Sequence, residues 1–270
     1  MCVDSHQHFW KLERGDYAWM SSDCKPIFRD FMPVDLKPLI GSENIRKASI
    51  VQAADTEFTL VIVNKTDFVA GIVGWMDFEK KSIKDDIDHL AEDPYLKGFR
   101  PMIHDIVDEN WMLNSNLNHG LSYLIAKGLS FDALVRPNHL KNLIVFAKRY
   151  CDLPVVIDYI AKPRIIAGEI DQWKSDMLEL SRLENVYCKY SGIVIEIGDN
   201  YSEEKIIPYV NFTFETFESK RLMWGSDWPV VTMAENYSGW VQLAMKYCAN
   251  LSDNEKLDIF SNTAKAFYRM

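Results

Sequence analysis

The chain has 270 residues, 48% of them hydrophobic, and a formal net charge of -9 from 30 basic and 39 acidic side chains. An acidic surface repels phosphate, which argues against nucleic acid and anionic membrane as partners, and no run of about 18 apolar residues could span a bilayer. The length is ample for one large core and suits a single α/β barrel as well as two small domains.

The chain opens with Val3-Asp4-Ser5-His6-Gln7-His8-Phe9-Trp10. In a strand, side chains alternate between faces, so His6 and His8 point the same way. Two imidazoles in one small volume can bind a metal, polarise a carbonyl or pass a proton. A pair this near the first residue leaves no space for a signal peptide. The five cysteines, Cys2, Cys24, Cys151, Cys188 and Cys248, are scattered without a Cys-x-x-Cys pair. Both features predict a cytoplasmic protein with reduced thiols.

Apolar runs of strand length recur at residues 2–6, 47–53, 69–75, 96–100, 129–134, 154–158, 186–190 and 221–225. Most are apolar nearly throughout, as parallel strands covered on both faces are. Helical spacing lies between them: Ile83, Ile87 and Leu90; Leu140, Leu143, Ile144 and Ala147; Trp173, Met177 and Leu180. Eight strands alternating with helices predict a (β/α)8 barrel forming one domain over residues 1–270. A doubly wound open sheet is the alternative, but no Gly-rich phosphate loop follows any strand. Residues 9–41, with Pro26, Pro33 and Pro38, read as a loop or irregular excursion over the barrel mouth. Residues 252–270 read as a closing helix, Ser252 capping it and Glu255 completing a capping box.

A barrel of this kind carries its chemistry at the C-terminal strand ends. Those ends supply His6 and His8, Gln52, Trp75, Arg100 with His104 beyond it, Asp158-Tyr159, Lys189 and Asp227. Asp227 can face the two histidines across the mouth. Trp224 and Trp228 beside it would raise its pKa by desolvation, and nearby cations would lower it. Arg100 can fork onto a substrate oxygen. Gln52 and Trp75 fit substrate binding, one through hydrogen bonds and one as an apolar wall. His104 sits on a loop where it can bind substrate or be solvated. Lys189 either serves the site or pairs with an acid beneath it.

Several ordered motifs resemble one family: Asp4-Ser5-His6-Gln7-His8-Phe9-Trp10, Arg29-Asp30-Phe31, Val51-Gln52-Ala53, Gly71-Ile72-Val73-Gly74-Trp75, Lys97-Gly98-Phe99-Arg100-Pro101, Ala161-Lys162-Pro163, Cys188-Lys189-Tyr190-Ser191-Gly192 and Trp224-Gly225-Ser226-Asp227-Trp228-Pro229. From end to end the chain resembles the amidohydrolase-2 group of the amidohydrolase superfamily, in its sugar-lactone and muconolactone hydrolase branch. The resemblance implies a distorted (β/α)8 barrel that hydrolyses a lactone such as a sugar aldonolactone. It implies that His6, His8 and Asp227 are catalytic and that Arg100 holds the substrate. Where the family usually carries a histidine, this chain has Tyr159, and a neutral phenol is a poor metal ligand. The reading is therefore of no cofactor, with one divalent metal, zinc or manganese, on His6, His8 and Asp227 as the alternative.

The mechanism expected from these residues has His6, His8 and the Tyr159 hydroxyl polarising the carbonyl while Asp227 takes the proton of water. A metal-dependent hydrolase or decarboxylase on the same barrel, and a non-catalytic binding barrel, are the other readings. The expected partner is a small-molecule lactone, and a homo-oligomer is left open.

Overall fold

The computed structural model describes residues 2–17, 19–51, 55–200 and 202–270, without the side chains of 198–200. Eight parallel strands run in sequence order around one sheet. They are β1 Cys2–Gln7, β2 Ile45–Val51, β3 Val69–Gly74, β4 Leu96–Phe99, β5 Ser130–Ala133, β6 Val155–Ile157, β7 Val186–Tyr190 and β8 Leu222–Trp224. The sheet closes on itself where β8 meets β1. There the Asp227 N–H donates to the His6 carbonyl at 2.8 Å and the His8 N–H donates to the Trp228 carbonyl at 2.7 Å. The fold is the (β/α)8 barrel expected from the alternation, with each strand buried by side chains inside and helices outside.

The helices are α1 Pro33–Ser42, α2 Thr56–Val63, α3 Ile83–Leu90, α4 Asn118–Lys127, α5 Leu140–Arg149, α6 Asp171–Ser181, α7 Glu203–Phe217, α8 Tyr237–Tyr247, α9 Asp253–Leu257 and α10 Thr263–Tyr268. The faces read from spacing in α3, α5 and α6 are the buried ones. Ser252 and Glu255 form the predicted capping box at the start of α9. A π turn, Asp258–Asn262, joins α9 to α10. Together they seal the barrel's N-terminal end, where Ala264, Phe267 and Tyr268 pack on Val3, Val51, Val73, Val156 and Met223.

The stretch 9–41 is not a loop throughout. Its last part is α1, with Pro33 in the first turn, where a missing N–H costs nothing. The Asp35 carboxylate accepts the Met32 N–H at 2.9 Å to begin that helix. The irregular part is pinned by an antiparallel bridge between Trp10 and Phe31. Most strands are a residue or two shorter than their apolar runs; Asp158, for one, begins the turn that follows β6. Strand β2 was expected to reach Ala53, but residues 52–54 lie outside the described ones.

One irregularity sets the position of the histidines. On β1, Asp4 pairs with Ala48 and Gln7 with Ile50, so β1 carries one extra residue there. This β-bulge shifts the alternation. Val3 can therefore pack in the barrel interior while His6 and His8 also face inward.

Candidate active site

At the C-terminal strand ends lies a cavity of about 710 Å³. His8, Trp75, Arg100, His104, Tyr159 and Asp227 line it, as do Trp10, Tyr17, Trp19, Arg136 and Lys162. Gln52, expected to bind substrate, lies outside the described residues. His6 is fully buried and sits one layer behind the lining.

Ladder closure between β8 and β1 brings Asp227 beside the histidines. Asp227 has a left-handed backbone, φ 57, a conformation Asp tolerates better than most residues. Its Oδ1 lies 3.1 Å from His8 Nε2 and accepts the Tyr159 hydroxyl proton at 2.9 Å. The other ring nitrogen, His8 Nδ1, donates to the Val51 carbonyl at 2.9 Å. In the neutral ring this leaves a lone pair on Nε2 facing a carboxylate oxygen. Two acceptors so close need a shared proton or a cation between them.

Tyr159 is aimed by a turn that L residues seldom adopt. Tyr159, Ile160, Ala161 and Lys162 all have φ between 47 and 63. Each left-handed residue costs roughly 1–2 kcal/mol. The ring fits only because Gly192 lies against it; a Cβ at Gly192 would come within 2.4 Å of Tyr159 Cδ1. The Tyr159 oxygen is 2.8 Å from His6 Nε2, so it joins His6 to Asp227. Burial, and then the charge of Asp227, push the phenol well above its ordinary pKa, so it stays neutral.

Beneath this layer is a buried ionic cluster. Lys189 Nζ lies 2.6 Å from Asp132, 3.0 Å from Asp158 and 3.2 Å from His6 Nδ1. Asp158 is also 3.5 Å from the Arg100 guanidinium. Burial would raise the Asp158 pKa, but the Lys189 ammonium above all, with the Arg100 guanidinium, carries it below the carboxylate range. Burial and the Lys189 charge lower the His6 pKa to about 3, so His6 is neutral at working pH. Burial lowers His104 to about 4.

The flanking tryptophans do not wall Asp227 as expected. Trp224 packs on Phe260, and Trp228 on Phe9 and Phe31, all behind the site. Burial alone would raise the Asp227 pKa. The hydrogen bond and charge of His8, with smaller effects from His6 and Lys162, lower it below the usual carboxylate value. His89 and His119 are exposed, as read from the sequence. His139 is buried and accepts the Arg136 N–H through Nδ1. Sequence reasoning assigned nothing to Asp132 or Asp158. The available signal was an acid inside or ending an otherwise apolar strand, which cannot stay buried without a cation.

The side chains of His6, His8 and Asp227 offer ligand atoms all within 4.8 Å of one another. These three residues fit a divalent ion. The His8 lone pair opposite the Asp227 carboxylate already calls for positive charge, while His6 can join only with its own proton on Nδ1.

An L-fucono-1,5-lactonase from Burkholderia ambifaria is 37% identical over 99% of this chain and 95% of its own. A second L-fucono-1,5-lactonase, from Burkholderia multivorans, is 29% identical over 99% of this chain and 96% of its own. The crystal structure of an amidohydrolase from Burkholderia multivorans with bound zinc has a TM-score of 0.93 and 28% identity, covering 100% of this chain and 99% of that one. The Amidohydro_2 profile, described as amidohydrolase, matches residues 3–270. With its barrel, its mouth cavity and that match, the chain belongs to the Amidohydro_2 family of amidohydrolases.

Proposed function

We propose that this chain hydrolyses a lactone ring, that of a sugar aldonolactone, through residues at the cavity floor. The observation that carries the reading is the convergence of His8 and Tyr159 on one oxygen of Asp227, at 3.1 and 2.9 Å. Two relatives named as L-fucono-1,5-lactonases support the substrate class.

A lactone needs a polarised carbonyl, a deprotonated water and a proton for the leaving ring oxygen. Arg100 donates toward the carbonyl oxygen, where negative charge grows in the transition state, while the Tyr159 hydroxyl donates to Asp227 and holds the carboxylate in place. Asp227, held ionised, takes a proton from water as the water oxygen bonds to the carbonyl carbon. When the carbon–ring oxygen bond breaks, Asp227 returns that proton to the ring oxygen, and the product leaves as a hydroxy acid. His8 orients Asp227, and His6 orients Tyr159 from below. Trp75 and Trp10 offer apolar faces to the sugar ring, with His104 at the side. His8 and Asp227, joined by His6 only when its proton sits on Nδ1, would hold a divalent ion, zinc or manganese, which when bound supplies Lewis-acid polarisation of the carbonyl.

The test is acid release from a panel of aldonolactones, followed with a pH indicator. Asp227→Asn should lower kcat by at least about 10²–10³. Full activity in Asp227→Asn would overturn the reading.

A further inference from the structure

The proposed reaction uses Tyr159 and Asp227, yet a fully buried lysine lies directly under them. An ion pair buried this deeply is rarely more stabilising than apolar packing of the same volume. Its presence therefore calls for a reason beyond stability. An ammonium can only donate hydrogen bonds. Lys189 Nζ lies 3.2 Å from His6 Nδ1, so that nitrogen must accept. The proton of the neutral ring then sits on Nε2, 2.8 Å from the Tyr159 oxygen. Once Tyr159 accepts from His6, its own hydroxyl proton is free to point at Asp227, 2.9 Å away. Every link then runs in one direction.

Two groups favour the opposite tautomer. Arg100 Nη1 is 3.3 Å from His6 Nε2, and an Asp158 oxygen is 3.6 Å from Nδ1. Both contacts are longer than the ones they compete with. Lys189 is itself held by Asp132 at 2.6 Å, whose same oxygen accepts the Tyr268 hydroxyl at 2.6 Å. The closing helix thus reaches the catalytic layer through three side chains.

We infer that, in the protein without an ion on His6, Lys189 is a positioning residue that fixes the His6 proton on Nε2 and so sets the hydrogen-bond direction of Tyr159, with Asp132 and Tyr268 holding Lys189 in place. The inference rests on the lactonase reading for its kinetic arm only. The experiment records ring-nitrogen NMR of histidine-labelled enzyme freed of divalent metal by a chelator, with His6→Asn assigning the His6 signals. The wild-type protein should show His6 protonated at Nε2. Lys189→Met should move the proton to Nδ1 and lower kcat by about tenfold or more with KM little changed. Tyr268→Phe, which removes only a hydroxyl, should shift the tautomer ratio in the same direction and is the variant to read if Lys189→Met does not fold. His6 carrying its proton on Nδ1 in the wild type, or an unmoved tautomer in whichever folded variant is read, would overturn the inference. If no lactone is turned over by the wild type, the lactonase reading fails and the NMR arm still decides this one.

Discussion

At Asp227 burial and hydrogen bonding oppose each other, and the partners win, so the carboxylate is ionised across the neutral range. A depressed acid is active above its pKa and fails below it. The acid limb of kcat/KM should therefore fall below about pH 4, the ordinary aspartate value. A limb near pH 6–7 would assign the base to a histidine instead. Tyr159 does not change charge in that range as a histidine would. It is neutral at any working pH and acts by hydrogen bonding alone. Tyr159→Phe keeps the ring against Gly192 but removes the donor. It should lower kcat by about 10²-fold with unchanged thermal stability, measured by steady-state kinetics and a melting curve.

Among the elements, the left-handed turn after β6 and the β8–β1 seam carry the site. Gly192→Ala would place a methyl within 2.4 Å of the Tyr159 ring at a φ of 68. It should displace Tyr159 and lower both melting temperature and kcat. Ala161→Gly, at φ 63, should instead raise stability by up to about 1 kcal/mol, because relief of the left-handed strain exceeds the entropy cost of glycine. At the seam, buried Asp4 accepts the Ser226 and His6 N–H groups and the Tyr237 hydroxyl. Burial, the largest influence, raises its pKa from 3.8 to about 6. The folded state then binds the proton more tightly than the unfolded chain. Stability from this group is full below pH 4 and declines as pH rises through 6. An amide could keep the same partners without the charge. Asp4→Asn should thus gain on the wild type with rising pH, by about 3 kcal/mol at pH 8. Urea unfolding at pH 4 and pH 8 checks this, and a difference that ignores pH would show that Asp4 does not titrate.

For the whole molecule, α9 and α10 close the end of the barrel opposite the cavity. Phe267 packs there against Tyr187, ring centroids 4.8 Å apart. Phe267→Ala should cost about 3 kcal/mol, seen as a lower melting temperature. It should leave KM unchanged, since the cavity lies at the other end.

The barrel itself was legible because parallel strands must be apolar on both faces and their helices must show one apolar stripe. Runs such as Val69–Gly74 and the Ile83, Ile87, Leu90 face carry that pattern in the sequence. His6, His8 and Asp227 were legible as residue types at strand ends, and so was Arg100. The burial of His6 behind Tyr159, the depressed Asp227, and the Lys189–Asp132–Tyr268 connection were not. Each depends on residues far apart in the chain, from His6 to Tyr268, meeting across the barrel axis. Periodicity along one chain records which face a side chain takes. Only closure of the barrel decides which distant charge it faces, and that partner sets its protonation.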